Sequence, residues 1–284
     1  MKVLARLTPL TLVTAACASH PAPIIHVDFE NPAYQAGAAY NELAQKQDWT
    51  LAGGTTRMDT QTEITSQQAV SGTHALKVSY PAGQQDVKQA AWVIPGQKSY
   101  HLRYKVKFAQ DFDFNGAAGA ESGKNGGKLP GLAARPTQNN HSLCTGGAVC
   151  DPGAGFSARL MWRTDGAGVL YLYDLTKSRT GQKWGEDIAF SQGTKFTPGK
   201  WHTIDQFVNL NSIGKANGHI KLWLDGKLMV HVSDREIIGG EEKVDTVLFS
   251  TFFGGNTVDW FPASLQTAYF DDFEIWQDLP TSLR

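Results

Sequence analysis

The stretch GFSARLMWRTDGAGVLYLYDL, residues 155–175, holds two runs of strand character around a TDGAG turn. In the first, Phe156, Ala158, Leu160 and Trp162 alternate with Ser157, Arg159, Met161 and Arg163. In the second, Leu170 and Leu172 alternate with Tyr171 and Tyr173. Successive side chains of a strand point to opposite faces. One face of the predicted hairpin is therefore apolar, and the other gathers serine, arginine and tyrosine. Pairing Arg159 with Tyr171 and Ser157 with Tyr173 puts these groups together and leaves a five-residue connection, Arg163 to Ala167. A slip of one residue would turn both tyrosines into the core.

Strand-like runs continue on either side: IIHVDF, HALKVSY, AAWVIP, YHLRYKVKF, WHTIDQFVNL, HIKLWLDGKLMVHV, TVLFSTFF and YFDDFEIW. Turn signals separate them, among them Asp225–Gly226, which reads as a tight hairpin. Only residues 34–47 look helical. With 29 glycines and many short strands in 284 residues, the pattern predicts an all-β chain, a jelly-roll β-sandwich, as one domain over residues 19–284. Segment 109–153 stands apart, rich in glycine, alanine and asparagine, with only KLPGLAA able to form a strand. Long loops of this kind in compact domains are usually functional or disordered.

A formal net charge of −1 gives no bulk field for nucleic acid or an anionic membrane, so an anionic ligand has to meet a local positive site. Residues 1–18 read as a secretory signal: Lys2 and Arg6, a short apolar run, then small residues, with cleavage after Ala18. The alternative is a lipoprotein signal with Cys17 as the lipidated terminus. The apolar run is too short to span a membrane. Both readings place the protein outside the cytoplasm, secreted or periplasmic, or as an outer-membrane lipoprotein. Cys144 and Cys150 then meet an oxidising compartment and are expected to close a small disulfide loop. A metal site would need more ligands than the neighbouring His141, so no metal and no cofactor are expected.

GGKLPGL (126–132), FSARLMWR (156–163), YLY (171–173), PGKWHTI (198–204), WLDG (223–226), STFFGG (250–255) and YFDDF (269–273) occur in an order that resembles polysaccharide lyase family 14, over roughly residues 90–277. That family contains alginate lyases and glucuronate-cleaving lyases. The resemblance implies a jelly roll whose concave sheet forms the substrate cleft. It also implies a functional set of Lys128, Ser157, Arg159, Tyr171 and Tyr173, with an anionic uronate polysaccharide as partner and a monomeric enzyme.

The residues suit such chemistry. In β-elimination a base removes the C5 proton of a uronate and the C4 oxygen departs. Positive groups around the carboxylate stabilise the charge that develops. Arginine offers a planar fork for a carboxylate, and lysine a compact charge. In β-mannuronate and β-glucuronate the C5 hydrogen and the C4 oxygen share a ring face, so one tyrosine can act as base and acid. A free tyrosine titrates near about 10, and Arg159 and Lys128 are expected to lower that value. Tyr173 is the expected base, with Ser157 opposite to stabilise its phenolate; a register two residues further along would set Tyr173 opposite Arg159 instead, and favours the same tyrosine. Tyr171, Lys128 and Arg159 complete the catalytic set, and Ser157, Lys128 and Arg159 hold substrate.

Arg163 reads as surface or substrate rim, Trp162, Trp201 and Trp223 as core, and His202 as structural. Asp271 and Asp272 are expected to finish a strand and bind backbone. Two rivals stay open. A glycoside hydrolase on the same architecture needs two carboxylates about 5–10 Å apart, and no suitably spaced pair occurs. A lectin-like module would show aromatic platforms without converging lysine, arginine and tyrosine.

Overall fold

In the computed structural model, Ser157 lies opposite Tyr173 and Arg159 opposite Tyr171. The register is the first of the two that the alternation allows. Residues 21–53, 55–138 and 141–283 are described; the expected leader and Cys17 lie outside them. In chain order the first strands are β1 (Ile25–Val27), β2 (Thr50–Leu51), β3 (Thr62–Thr65), β4 (Ala75–Tyr80) and β5 (Lys88–Gln97). Then come β6 (Ser99–Phe108), β7 (Gly127–Ala134), β8 (Phe156–Trp162), β9 (Gly168–Tyr173) and β10 (Glu186–Ala189). The last are β11 (Trp201–Asn209), β12 (Gly218–Leu224), β13 (Lys227–Arg235), β14 (Val244–Phe253) and β15 (Gln266–Trp276).

They form two antiparallel sheets of a sandwich. One runs β13-β12-β11-β6-β15-β4-β3, with β1 also on β15; the other runs β10-β9-β8-β7-β14-β5-β2. We call the second the site sheet. Asp225 and Gly226 make the two-residue β12–β13 turn, both left-handed with φ of 51° and 77°.

The apolar halves of the alternating strands meet between the sheets. Phe156, Ala158, Leu160, Trp162, Leu170 and Leu172 are buried there with Tyr104, Phe108 and Phe249. Trp92 stacks between Trp49 and Phe249, with centroids 4.5 and 4.7 Å away. Burying each such aromatic contributes about 1.5–3 kcal/mol.

One irregularity matters for the site. The β7–β8 register shifts between Leu129 and Gly131, around Pro130, which has no N–H to give a ladder. The opposite sheet satisfies the groups left over. Tyr104 Oη donates to the Pro130 carbonyl at 3.1 Å. Gln206 accepts from Leu132 N–H at 2.8 Å and donates to the Ala158 carbonyl at 2.6 Å. A Cβ on Gly131 would lie 2.1 Å from that same carbonyl oxygen, so only glycine permits the approach.

Several expectations change. The helix expected over 34–47 shrinks to α1 (Glu42–Asp48), capped by the Asn41 side chain on Ala44 N–H. Gly37, at φ 86°, turns the chain before it, and Ala39 bridges to Glu63. Two short helices, α2 (Met58–Gln61) and α3 (Leu175–Arg179), had no signal of their own. Asp271 and Asp272 do not finish a strand. They sit inside β15 at a register shift, Asp272 with φ 47°, while Asp271 accepts from Val70 N–H. Trp162 and Trp223 are buried, but Trp201 is only half-buried. His202 is buried against Asp225, 3.0 Å away, in a structural role.

Candidate active site

The face of the site sheet turned away from the core carries Lys128 from β7, Ser157 and Arg159 from β8, and Tyr171 and Tyr173 from β9. Three cations surround the Tyr171 ring: Lys128 Nζ at 5.0 Å from its centroid, Arg159 Cζ at 5.9 Å and Arg163 Cζ at 5.6 Å. The Tyr171 and Tyr173 rings meet edge-on with centroids 5.3 Å apart, and their hydroxyls lie 3.3 Å apart. All five expected residues thus converge.

Two loops lie across them. Cys144 and Cys150 are joined by a disulfide, and their loop supplies three contacts. Ser157 Oγ donates to the Cys144 carbonyl at 2.7 Å. Arg159 Nη2 donates to Thr145 Oγ1. Gly147 N–H donates to Tyr173 Oη at 3.0 Å. The second loop, between α3 and β10, brings Gly185 N–H to Tyr171 Oη at 3.2 Å. Lys177 of α3 stands behind, its Nζ 4.7 Å from the Tyr173 ring centroid and 3.0 Å from the Lys183 carbonyl that accepts its hydrogen bond.

Burial sets the electrostatics. Lys128, 9% exposed, has its amine pushed down to about 7, first by burial and then by the charges of Arg159 and Arg163. Arg159 is lowered to about 10 by burial, and so stays charged near neutrality. Tyr171 moves the other way from the sequence expectation. Burial raises it, its hydrogen bond to Tyr173 adds to that, and Arg159 opposes only in small part. A cation beside a phenol lowers its pKa only where the phenolate keeps enough solvation, and this phenol has lost most of its water.

Ser157 is opposite Tyr173 along the strands as expected, but its hydroxyl donates to the Cys144 carbonyl rather than to the phenol oxygen. Tyr173 has no exposed surface, whereas Tyr171 keeps 6%. Arg163, read from sequence as surface or rim, is held by both oxygens of Asp187 at 2.7 Å while covering the Tyr171 ring.

The family profile "Polysaccharide lyase 14" matches residues 66–273. The chain belongs to that family. The match starts before residue 90, where the sequence motifs had become indistinct. The lyase is similar to the crystal structure of the PL-14 alginate lyase from Aplysia kurodai, with a TM-score of 0.71 at 22% identity, covering 91% of this chain and 100% of the other. Alginate lyase vAL-1 from Chlorella virus gives 0.62 at 18% identity, over 84% and 98%. An endo-β-1,4-glucuronan lyase from Trichoderma reesei gives 0.54 at 12% identity, over 90% and 96%. These likenesses concern the fold. A comparison with curated protein sequences finds no match.

Sequence reasoning missed several members of the lyase's site. Ser250, which accepts from Arg159 Nη1 at 3.0 Å, lay unread within STFFGG. Thr145 and Gly147 lay within CTGGAVC, where only the cysteines had been read. Lys177 and Gly185 carried no signal, because their partners are set by a helix and a loop that no periodicity announces. Among the described residues no group of three or more His, Cys, Asp or Glu gathers as a metal site, and no helix is long and apolar enough to cross a membrane.

Proposed function

We propose that this lyase cleaves a β-1,4-linked uronate polymer by β-elimination, with mannuronate-rich alginate the first substrate and glucuronan the second. The observation that carries the reading is the convergence of Lys128, Arg159 and Arg163 on Tyr171 at one face of the site sheet. A polymer with a carboxylate on every unit needs such a local positive site, since the chain as a whole supplies none.

In the proposed reaction the neutral amine of Lys128 takes the C5 proton. The C5–H electron pair forms the C4–C5 double bond as the C4–O bond breaks, and the departing oxygen takes a proton from Tyr171. Arg159, with Arg163 beside it, stabilises the negative charge that builds on the uronate carboxylate. The environments divide the roles: one group is brought near neutrality and can accept a proton, and its neighbour is held protonated and can give one. Both lie on one face, as a substrate with C5–H and C4–O on the same side requires. Tyr173 then orients Tyr171 through the hydroxyl contact.

A second reading keeps Tyr173 as base and acid. What favours it is the Gly147 N–H on its oxygen, a donor able to stabilise a phenolate. It requires Gly147 to part from the hydroxyl before substrate arrives. Export of the enzyme, as a monomer, is part of the proposal, a disulfide being at home in an oxidising compartment.

The test is direct. The purified enzyme is mixed with polymannuronate and with glucuronan, and the ultraviolet absorbance of the unsaturated uronate end is followed. A rise on either polymer is expected; no rise on both would reject the uronate reading.

A further inference from the structure

We propose that Trp184 and Lys183 form a uronate-binding subsite on the rim of the active site, an inference that rests on the uronate reading above. Trp184 is 52% exposed, and it is the only tryptophan among the large exposed hydrophobic residues of the described chain. An indole left half in water loses the stabilisation that burial gives and serves no core. Its position is not peripheral. The next residue, Gly185, holds the Tyr171 hydroxyl, and a Cβ there would lie 2.6 Å from the Tyr173 ring and 2.8 Å from the Tyr171 ring. On its other side the indole packs over Gly147, where a Cβ would lie 3.0 Å from Cζ3. Gly147 is the residue whose N–H holds Tyr173. The indole therefore sits where the two loops that cover the tyrosines meet.

Lys183 completes the pair. Its Nζ lies 4.9 Å from the Trp184 ring centroid, and its side chain is exposed. Among the described salt bridges none involves this amine, so its charge is available to a ligand. The backbone beneath is fixed, because Lys177 Nζ donates to the Lys183 carbonyl. A pyranose presents an apolar face of C–H bonds that matches an indole, and a uronate adds one carboxylate at its edge. An aromatic platform with a cation over it meets both halves of that unit. A neutral sugar would use the ring alone, and a small anion the amine alone.

The experiment compares wild type with Trp184→Ala, Trp184→Phe and Lys183→Gln, measuring kcat and KM on the uronate polymer that wild type cleaves. Binding of that polymer by the inactive Lys128→Met background, with and without Trp184→Ala, is measured by calorimetry. The expected result is at least ~10-fold higher KM for Trp184→Ala, with kcat within about twofold, a smaller rise for Trp184→Phe, and a matching loss of binding. Lys183→Gln should raise KM at low salt and much less at high salt, since an exposed ion pair is screened. Unchanged KM and binding in Trp184→Ala, while wild type cleaves, would overturn the subsite. A fall in kcat at unchanged KM would also overturn it, assigning the indole to holding the loops. Failure of wild type to cleave either polymer would instead reject the uronate reading beneath it, and the subsite with it.

Discussion

Lys128 is a buried amine that makes no salt bridge among the described residues, and burial sets its chemistry. Its folded pKa, about 7, lies below the ordinary lysine value because burial and two guanidinium groups penalise the charged form. The active form in the proposed reaction is the neutral amine. Activity should therefore fall as pH drops below about 7 and level off above it, until Tyr171 ionises far on the alkaline side. A pH profile of kcat/KM checks this, and an acid limb lying well above neutrality would point to a phenolate base instead. Lys128→Met should lose ~10²–10⁴-fold in kcat, and Lys128→Arg should lose as much because a guanidinium stays protonated. Arg163→Gln should move the acid limb to higher pH, since one of the charges that lowers Lys128 is gone.

The tyrosines separate by the same logic. Tyr171→Phe removes the proposed acid and should cost ~10²-fold or more in kcat. Tyr173→Phe should cost less, mainly by loosening Tyr171. Steady-state kinetics of the two variants on one polymer decides between them: a larger loss for Tyr173→Phe would return the base role to Tyr173.

At the scale of elements, the candidate site depends on a loop closed by a disulfide as much as on the strands beneath. The Cys144–Cys150 loop holds Ser157, Arg159 and Tyr173 through Cys144, Thr145 and Gly147. So small a ring restricts the unfolded chain only modestly, about 2 kcal/mol by loop-closure entropy. Replacing both cysteines by serine should therefore lower Tm by only a few degrees. It should reduce kcat by ~10-fold or more, because misplaced catalytic groups cost more than their contacts. Thermal melts beside kinetics test the split; equal, mild effects on both would show that the loop holds its place without the bond. On the facing loop, Gly185→Ala would press a methyl against both tyrosine rings and should lower activity without lowering Tm comparably.

At the scale of the whole molecule, the two sheets are joined by polar ties as well as by the aromatic core. Gln206 reaches from β11 across the sandwich to Leu132 and Ala158, a cross-strand pair next to the register shift that separates Lys128 from Arg159. Gln206→Leu would leave a buried N–H and a buried carbonyl without partners, at a cost of about 1–3 kcal/mol each. The expected outcome is a Tm lower by several degrees together with reduced kcat, since Arg159 follows Ala158 along β8. Differential scanning calorimetry with parallel assays checks it, and unchanged activity in a destabilised variant would show that the tie serves stability alone.

The sequence alone determined the sandwich, the β8–β9 pairing and the face on which Ser157, Arg159, Tyr171 and Tyr173 stand. A period of two residues admits only pairings that bury Leu170 and Leu172 and keep the tyrosines out, and of the two such registers the structure takes the one with Ser157 opposite Tyr173. It also placed Lys128 on its strand, through KLPGLAA. The tertiary structure alone decided what those residues can do. Whether a phenol is lowered by a neighbouring cation or raised by lost water depends on how many atoms cover it. The cover here comes from residues 144–150 and 181–185, loops whose positions no alternation encodes. The same holds for Ser157, whose proton goes to a carbonyl of the disulfide loop, and for Lys177 behind Tyr173. Strand pairing is a local and periodic constraint that sequence displays directly. Burial of a site is a sum over distant segments, and only the folded chain performs it.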